Sequence, residues 1–111
     1  MHAQSPREVF YNDVPGQLAD AAVSRLRPMA LAHAFSAPER CAWRVVPTGY
    51  VFCERDNAIP LAAQKLIVER ARAQGVGVQT VSLDAGHSPF LSMPDKTVDT
   101  VEQLVDRCRR G

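Results

Sequence analysis

The sequence predicts an α/β fold with two parallel strands and flanking helices, and three features carry that expectation. Residues 50–53 (Tyr-Val-Phe-Cys) form a short apolar run without polar alternation, the pattern of a strand buried on both faces. Residues 78–83 form a second strand-like run, with Val81 and Leu83 on one face. Each run ends abruptly in a polar loop and leads into a helical stretch. Strand, helix, strand, helix is the order of a βαβ unit with parallel strands.

The other elements follow from periodicity and punctuation. Residues 1–14 read as irregular, with Pro6 and the run Val9-Phe10-Tyr11-Asn12-Asp13-Val14. Pro15 opens a helix with Leu18, Ala21, Ala22 and Leu26 on its apolar face. Pro28 ends it, since proline cannot donate to the helix ladder. Residues 29–35 are apolar without a clear period. Ser36 and Glu39 have the spacing of a capping box, which predicts a short helix through Cys41 or Ala42. Pro60 starts the next helix, where its missing N–H costs nothing. Ala63, Leu66, Ile67 and Ala71 line one face of it, Lys65 and Glu69 pair on the outside, and Gly75 and Gly77 terminate it. The last helix starts at Pro94 and Asp95. Its apolar stripe is Val98, Val101, Leu104, Val105 and Cys108. Arg107, Arg109 and Arg110 close it as cations opposing the helix dipole.

Bulk properties exclude several function classes. The chain has 111 residues, enough for one domain, with 46% hydrophobic and 23% charged residues in an ordinary globular balance. Net charge is +1, and the 13 basic and 12 acidic residues are spread along the chain. No basic stripe points to nucleic acid, and no polybasic run points to a membrane surface. No window approaches the roughly 20 apolar residues of a membrane span. The first residues lack the apolar core of a signal peptide. Cys41, Cys53 and Cys108 are far apart, without a C-x-x-C pair, and read as reduced thiols in a cytoplasmic protein. The expectation is no metal and no cofactor, because the Cys and His spacing fits no tetrahedral site.

In a parallel α/β sheet the chemistry sits just beyond the carboxyl ends of the strands. Asp56 and His87 both occupy that position, on the loops after consecutive strands. Neighbouring strands are about 5 Å apart, so the two side chains are within reach of each other. A histidine can take a proton near neutral pH, and a carboxylate on its Nδ1–H fixes the tautomer that does so. Asp84 and Glu54 are weaker candidates for the acid. Asp84 lies on the loop of His87 itself and reads as a loop cap, and Glu54 points along the strand end. Ser88 reads as a loop hydrogen-bonder, and His2 and His33 as surface or core residues.

These segments carry a family resemblance. Tyr50-Val51-Phe52-Cys53-Glu54-Arg55-Asp56-Asn57-Ala58-Ile59-Pro60 resembles the strand, acid loop and helix start of the α/β-hydrolase superfamily. The similarity is to the branch holding plant methyl-ester esterases, hydroxynitrile lyases and related bacterial esterases. Gly86-His87-Ser88-Pro89-Phe90 resembles the histidine loop of the bacterial members. Phe10-Tyr11-Asn12-Asp13-Val14-Pro15 resembles the segment leaving their cap region. The resemblance implies a partial α/β-hydrolase fold forming one partial domain. Residues 1–47 would be the end of the cap and connecting helices. Residues 48–111 would carry the strand-helix-strand-helix unit. It also implies that Asp56 is the triad acid and His87 the general base. Lyases of that branch typically carry lysine directly after the histidine; Ser88 stands there, which favours ester hydrolysis.

The departure from the family pattern matters equally. The superfamily nucleophile sits in G-x-S-x-G on a strand-to-helix turn. The serines are Ser5, Ser24, Ser36, Ser82, Ser88 and Ser92, and none has glycine at both minus two and plus two. No H-G-G-G-like oxyanion segment is present either. The expectation is therefore the C-terminal part of a serine hydrolase, with the nucleophile half upstream of Met1 and no catalysis by this chain alone. The substrate of the whole enzyme would be a small-molecule ester. The alternative is a remnant, or a module that completes a partner, without enzymatic activity. Two strands do not make an independently stable sheet. The chain is thus expected to be unstable alone, to self-associate, or to bury its apolar surface against an N-terminal hydrolase half.

Overall fold

A computed structural model of the chain describes residues 5–29 and 37–110. The expectations for His2, His33 and Ser36 fall outside these residues. Strand β1 (Thr48–Cys53) pairs in parallel with β2 (Val78–Leu83), in a register running from Thr48 opposite Val78 to Cys53 opposite Leu83. The chain is α/β, with helices packed about this pair. The predicted second strand matches β2, and the first gains Thr48 and Gly49.

Helix α1 (Pro6–Phe10) and helix α2 (Gly16–Ser24) precede β1. Residues 1–14 are therefore not wholly irregular. Ser5 is the N-cap, its hydroxyl accepts from the Glu8 backbone N–H, and Pro6 takes the first turn. The signal was in the sequence as Ser-Pro-x-Glu, a start motif read there only as punctuation. Helix α2 stops at Ser24, whose hydroxyl donates to the Ala21 carbonyl, short of the predicted end near Pro28. Its buried residue is Ala19, while Leu18 and Leu26 are exposed. The short helix expected through Cys41 or Ala42 does not form at residues 37–41. A single 3₁₀ turn, Ala42–Arg44, stands next to it. Val45, Val46 and Pro47 follow at once, and a residue before proline is driven out of helical geometry.

Helix α3 (Leu61–Ala73) connects the strands. It ends in a Schellman motif at Gly75, with φ of 89°. Gly75 N–H donates to Arg72 O at 3.0 Å, and Val76 N–H donates to Ala71 O at 3.1 Å. The face toward the sheet is Gln64, Val68 and Ala71, not the predicted one. Of that prediction only Ala71 is buried, and Leu66 and Ile67 are exposed. Val68, Ala71 and Val78 form a core cluster with Tyr50, Phe52 and Val76 against it. The expected Lys65–Glu69 pair is not among the ion pairs of the described residues; both side chains are exposed.

Helix α4 (Pro89–Ser92) is a single turn unpredicted from sequence, and α5 (Pro94–Arg110) starts where expected. The predicted apolar stripe of α5 is covered along one edge only. Leu104 and Thr100 are buried, but Val98, Val101 and Val105 are exposed. Leu104 lies over Gly49, where an added Cβ would come within 3.2 Å of its methyl groups. The glycine thus lets α5 seat on the strand. An open apolar groove of about 480 Å³ remains between α5 and β1, lined by Gly49, Val51, Val101 and Val105. Arg107 reaches across to the Thr80 carbonyl at 3.0 Å. Among the described residues no helix is long and apolar enough to cross a membrane.

Leu104→Ala removes the main contact seating α5 and should lower the unfolding free energy by about 2–5 kcal/mol. Urea titration followed by circular dichroism reads this directly. A cost within experimental scatter would mean that α5 is not packed on β1.

Candidate active site

The acid loop and the histidine loop leave the carboxyl ends of β1 and β2 side by side. The ladder continues past the strands: Glu54 N–H donates to Leu83 O and Arg55 N–H to Ala85 O, each at 2.9 Å. Asp56 and His87 follow directly. His87 Nδ1 lies 2.9 Å from Asp56 Oδ2 and 3.1 Å from Oδ1. The Asp56 side chain is only 6% exposed and that of His87 34%. The carboxylate is buried, then, while the imidazole opens toward solvent.

The Asp56 carboxylate is held by its own loop as well. Oδ1 accepts from Ala58 N–H at 2.8 Å and Ile59 N–H at 3.0 Å. An ionised carboxylate can only accept, so the hydrogen between Asp56 and His87 belongs on Nδ1. In the neutral ring, Nε2 then carries the free lone pair. That tautomer can take a proton from a hydroxyl and return it to a leaving group.

Gln64 is a residue that sequence reasoning missed. It is 2% exposed, although polar. Its Oε1 accepts from Cys53 N–H at 2.9 Å, and its Nε2 donates to Cys53 O at 2.9 Å and Ile59 O at 2.7 Å. The amide thus pairs with the end of β1 as a neighbouring strand would, and ties it to the far side of the acid loop. Its buried spacing with Val68 and Ala71 was the available signal.

The other candidates take structural places. Asp84 pairs with Arg55 Nε at 2.8 Å and is well exposed. Glu54 is exposed. Ser88 is buried and donates to Phe10 O at 2.8 Å, as a loop hydrogen-bonder should. The Phe10 ring stands 5.5 Å from the His87 ring. Cys41, Cys53 and Cys108 are free thiols.

The matching family model, the alpha/beta hydrolase family, covers residues 1–100. The chain belongs to the alpha/beta hydrolase family. Relatives of this chain include the alpha/beta hydrolase nvfD of Aspergillus novofumigatus, 33% identical over 88% of the chain and 38% of the relative. Another is a pyrethroid hydrolase of Sphingobium wenxiniae, 28% identical over 90% of the chain and 35% of the relative. The chain therefore spans well under half the length of these hydrolases.

Two predictions follow from the packing beneath the pair. Gln64→Leu keeps the volume but strips Cys53 N–H and the Ile59 carbonyl of their partner and leaves the Cys53 carbonyl only its bond from Asp56 N–H. Each buried group left unpaired costs about 1–3 kcal/mol, so the melting temperature should drop clearly. Thermal melts of Gln64→Leu and Gln64→Glu, compared with the parent chain, check this. Burial, then the carboxylates of Asp56 and Asp13, push the Cys53 thiol above its ordinary value. Tyr50 moves the same way, through burial and then Cys53 and Asp56. A raised folded value means stability that is intact below the unfolded pKa and lost as pH rises through the folded one. Melting temperature should therefore fall on the alkaline side, and Cys53→Ala should flatten that fall. An alkaline limb unchanged by Cys53→Ala would contradict it.

Proposed function

We propose that this chain is the acid-and-histidine part of a serine-type hydrolase of carboxylic esters, with Asp56 as the triad acid and His87 as the general base. The observation that carries the reading is the 2.9 Å contact of His87 Nδ1 with a buried carboxylate at the ends of adjacent parallel strands. His87 Nε2 takes the proton of a serine hydroxyl as it attacks the ester carbonyl, and passes it to the departing alkoxide. Asp56 holds the ring and offsets the charge of the imidazolium. Water then repeats the sequence on the acyl-serine. A small-molecule substrate is supported by the pyrethroid hydrolase among the relatives. The free thiols support a reduced, cytoplasmic setting.

The serine and the oxyanion donors come, on this reading, from a segment carrying G-x-S-x-G, which this sequence does not contain. The open groove beside β1 and the exposed valines of α5 support a sheet completed by such a segment. The second reading is a remnant or a partner-completing module without activity.

Mixing the chain with the serine-bearing half of a relative and assaying a p-nitrophenyl ester separates the readings. Restored turnover should vanish in His87→Ala and fall by roughly 10⁴-fold in Asp56→Asn. Turnover indifferent to both changes sinks the assignment. The absence of turnover in every mixture favours the inactive module.

A further inference from the structure

We infer that Asp13 is a positioning residue, a clamp that locks the His87 loop onto the Asp56 loop. The inference rests on the reading of Asp56 and His87 as a working pair. Two consecutive side chains reach the two loops. Asn12 Nδ2 donates to the Arg55 carbonyl at 2.7 Å, and the Gly86 backbone N–H donates to Asp13 Oδ2 at 2.9 Å. Arg55 is the residue just before Asp56, and Gly86 is the residue just before His87. Each grip therefore falls one residue from the side chain it must place. Arg55 Nη2 also lies 3.8 Å from Asp13 Oδ2, so the same oxygen faces both loops.

The site buries an acceptor oxygen. The Asp13 side chain is 6% exposed, and its other oxygen, Oδ1, is buried with no hydrogen-bond partner among the described residues. Burying a carboxylate with one oxygen unpaired costs stability, and a small apolar residue there would avoid the cost. The carboxylate makes sense through what Oδ2 holds. Gly86 is shaped to allow it: a Cβ at residue 86 would overlap the Asn12 amide oxygen and come within 2.8 Å of Asp13 Oδ1. Around this clamp, Ser88 donates to Phe10 O and Asn57 to Glu8 O, both at 2.8 Å. The segment from Glu8 to Asp13 therefore straps both loops. A geometry set to a few tenths of an ångström is what proton transfer through His87 requires.

The test is nuclear magnetic resonance of the full chain labelled with ¹⁵N, read at the His87 Nδ1–H proton, which a carboxylate partner moves far downfield and shields from exchange. Asp56→Ala should abolish that signal. Asp13→Ala should abolish it too, with the amides of β1 and β2 still dispersed. Asp13→Asn keeps an oxygen for Gly86 N–H and should retain the signal. Leu104→Ala, destabilised far from the loops, should retain it as well. A signal that persists in Asp13→Ala overturns the clamp while leaving the Asp56–His87 pair standing. A parent spectrum without the signal, or one untouched by Asp56→Ala, overturns both. Should Asp13→Ala not fold, a folded Asp13→Ser chain decides, since its hydroxyl stops one atom short of the Oδ2 that holds Gly86 N–H: loss of the signal there is expected, and its persistence overturns the clamp.

Discussion

The parallel pairing of β1 with β2 runs beyond the strands, and the site depends on that extension. Cys53 stands opposite Leu83, and two more backbone bonds, from Glu54 and Arg55, carry the ladder into the loops. Asp56 and His87 then leave the sheet at the same level. A shift of register by one residue would turn side chains to the opposite face and separate them. Few loops are tied so closely, because loop backbone usually finds its partners in water.

What holds the site is polar and covered. Gln64, Asp13 and Ser88 are all buried beneath or beside the pair; Gln64 bonds to backbone of the preceding strand and loop, and Asp13 and Ser88 to backbone far away in the chain. Such contacts contribute modest net stability, yet they are costly to break once water is excluded. Their gain lies in a single arrangement of the loops. The apolar packing is thinner: one cluster around Val68 on one side of the sheet, and Leu104 over Gly49.

The parts legible in the sequence were those encoded locally. The polar loops after two apolar runs marked the strand ends, and Pro94 marked the start of α5. The positions of Asp56 and His87 followed from topology. Reading failed where the deciding partner lay in another element, or where an element was too short to show a period. The helical face of α3 was assigned to Leu66 and Ile67 by hydrophobicity, but the buried stripe begins with Gln64, which is polar for the sake of the Cys53 backbone. The stripe of α5 was legible as a pattern, but not that Val98, Val101 and Val105 would remain uncovered. Helix α1 was missed although Ser5, Pro6 and Glu8 announce it, because a helix of one turn leaves no apolar period.

The strap joins residues very distant along the chain: Asp13 and Gly86 are 73 apart, and Phe10 and Ser88 are 78 apart. Contacts of such long range close late in folding, after the local strand-helix-strand unit has formed. They rest on a few polar bonds and not on the apolar core, and such regions open at lower free energy than the whole. On warming, the histidine would drift from its carboxylate before the sheet comes apart. The alignment of the two loops would vanish first, and a largely native conformer with the Asp56–His87 contact open would precede denaturation.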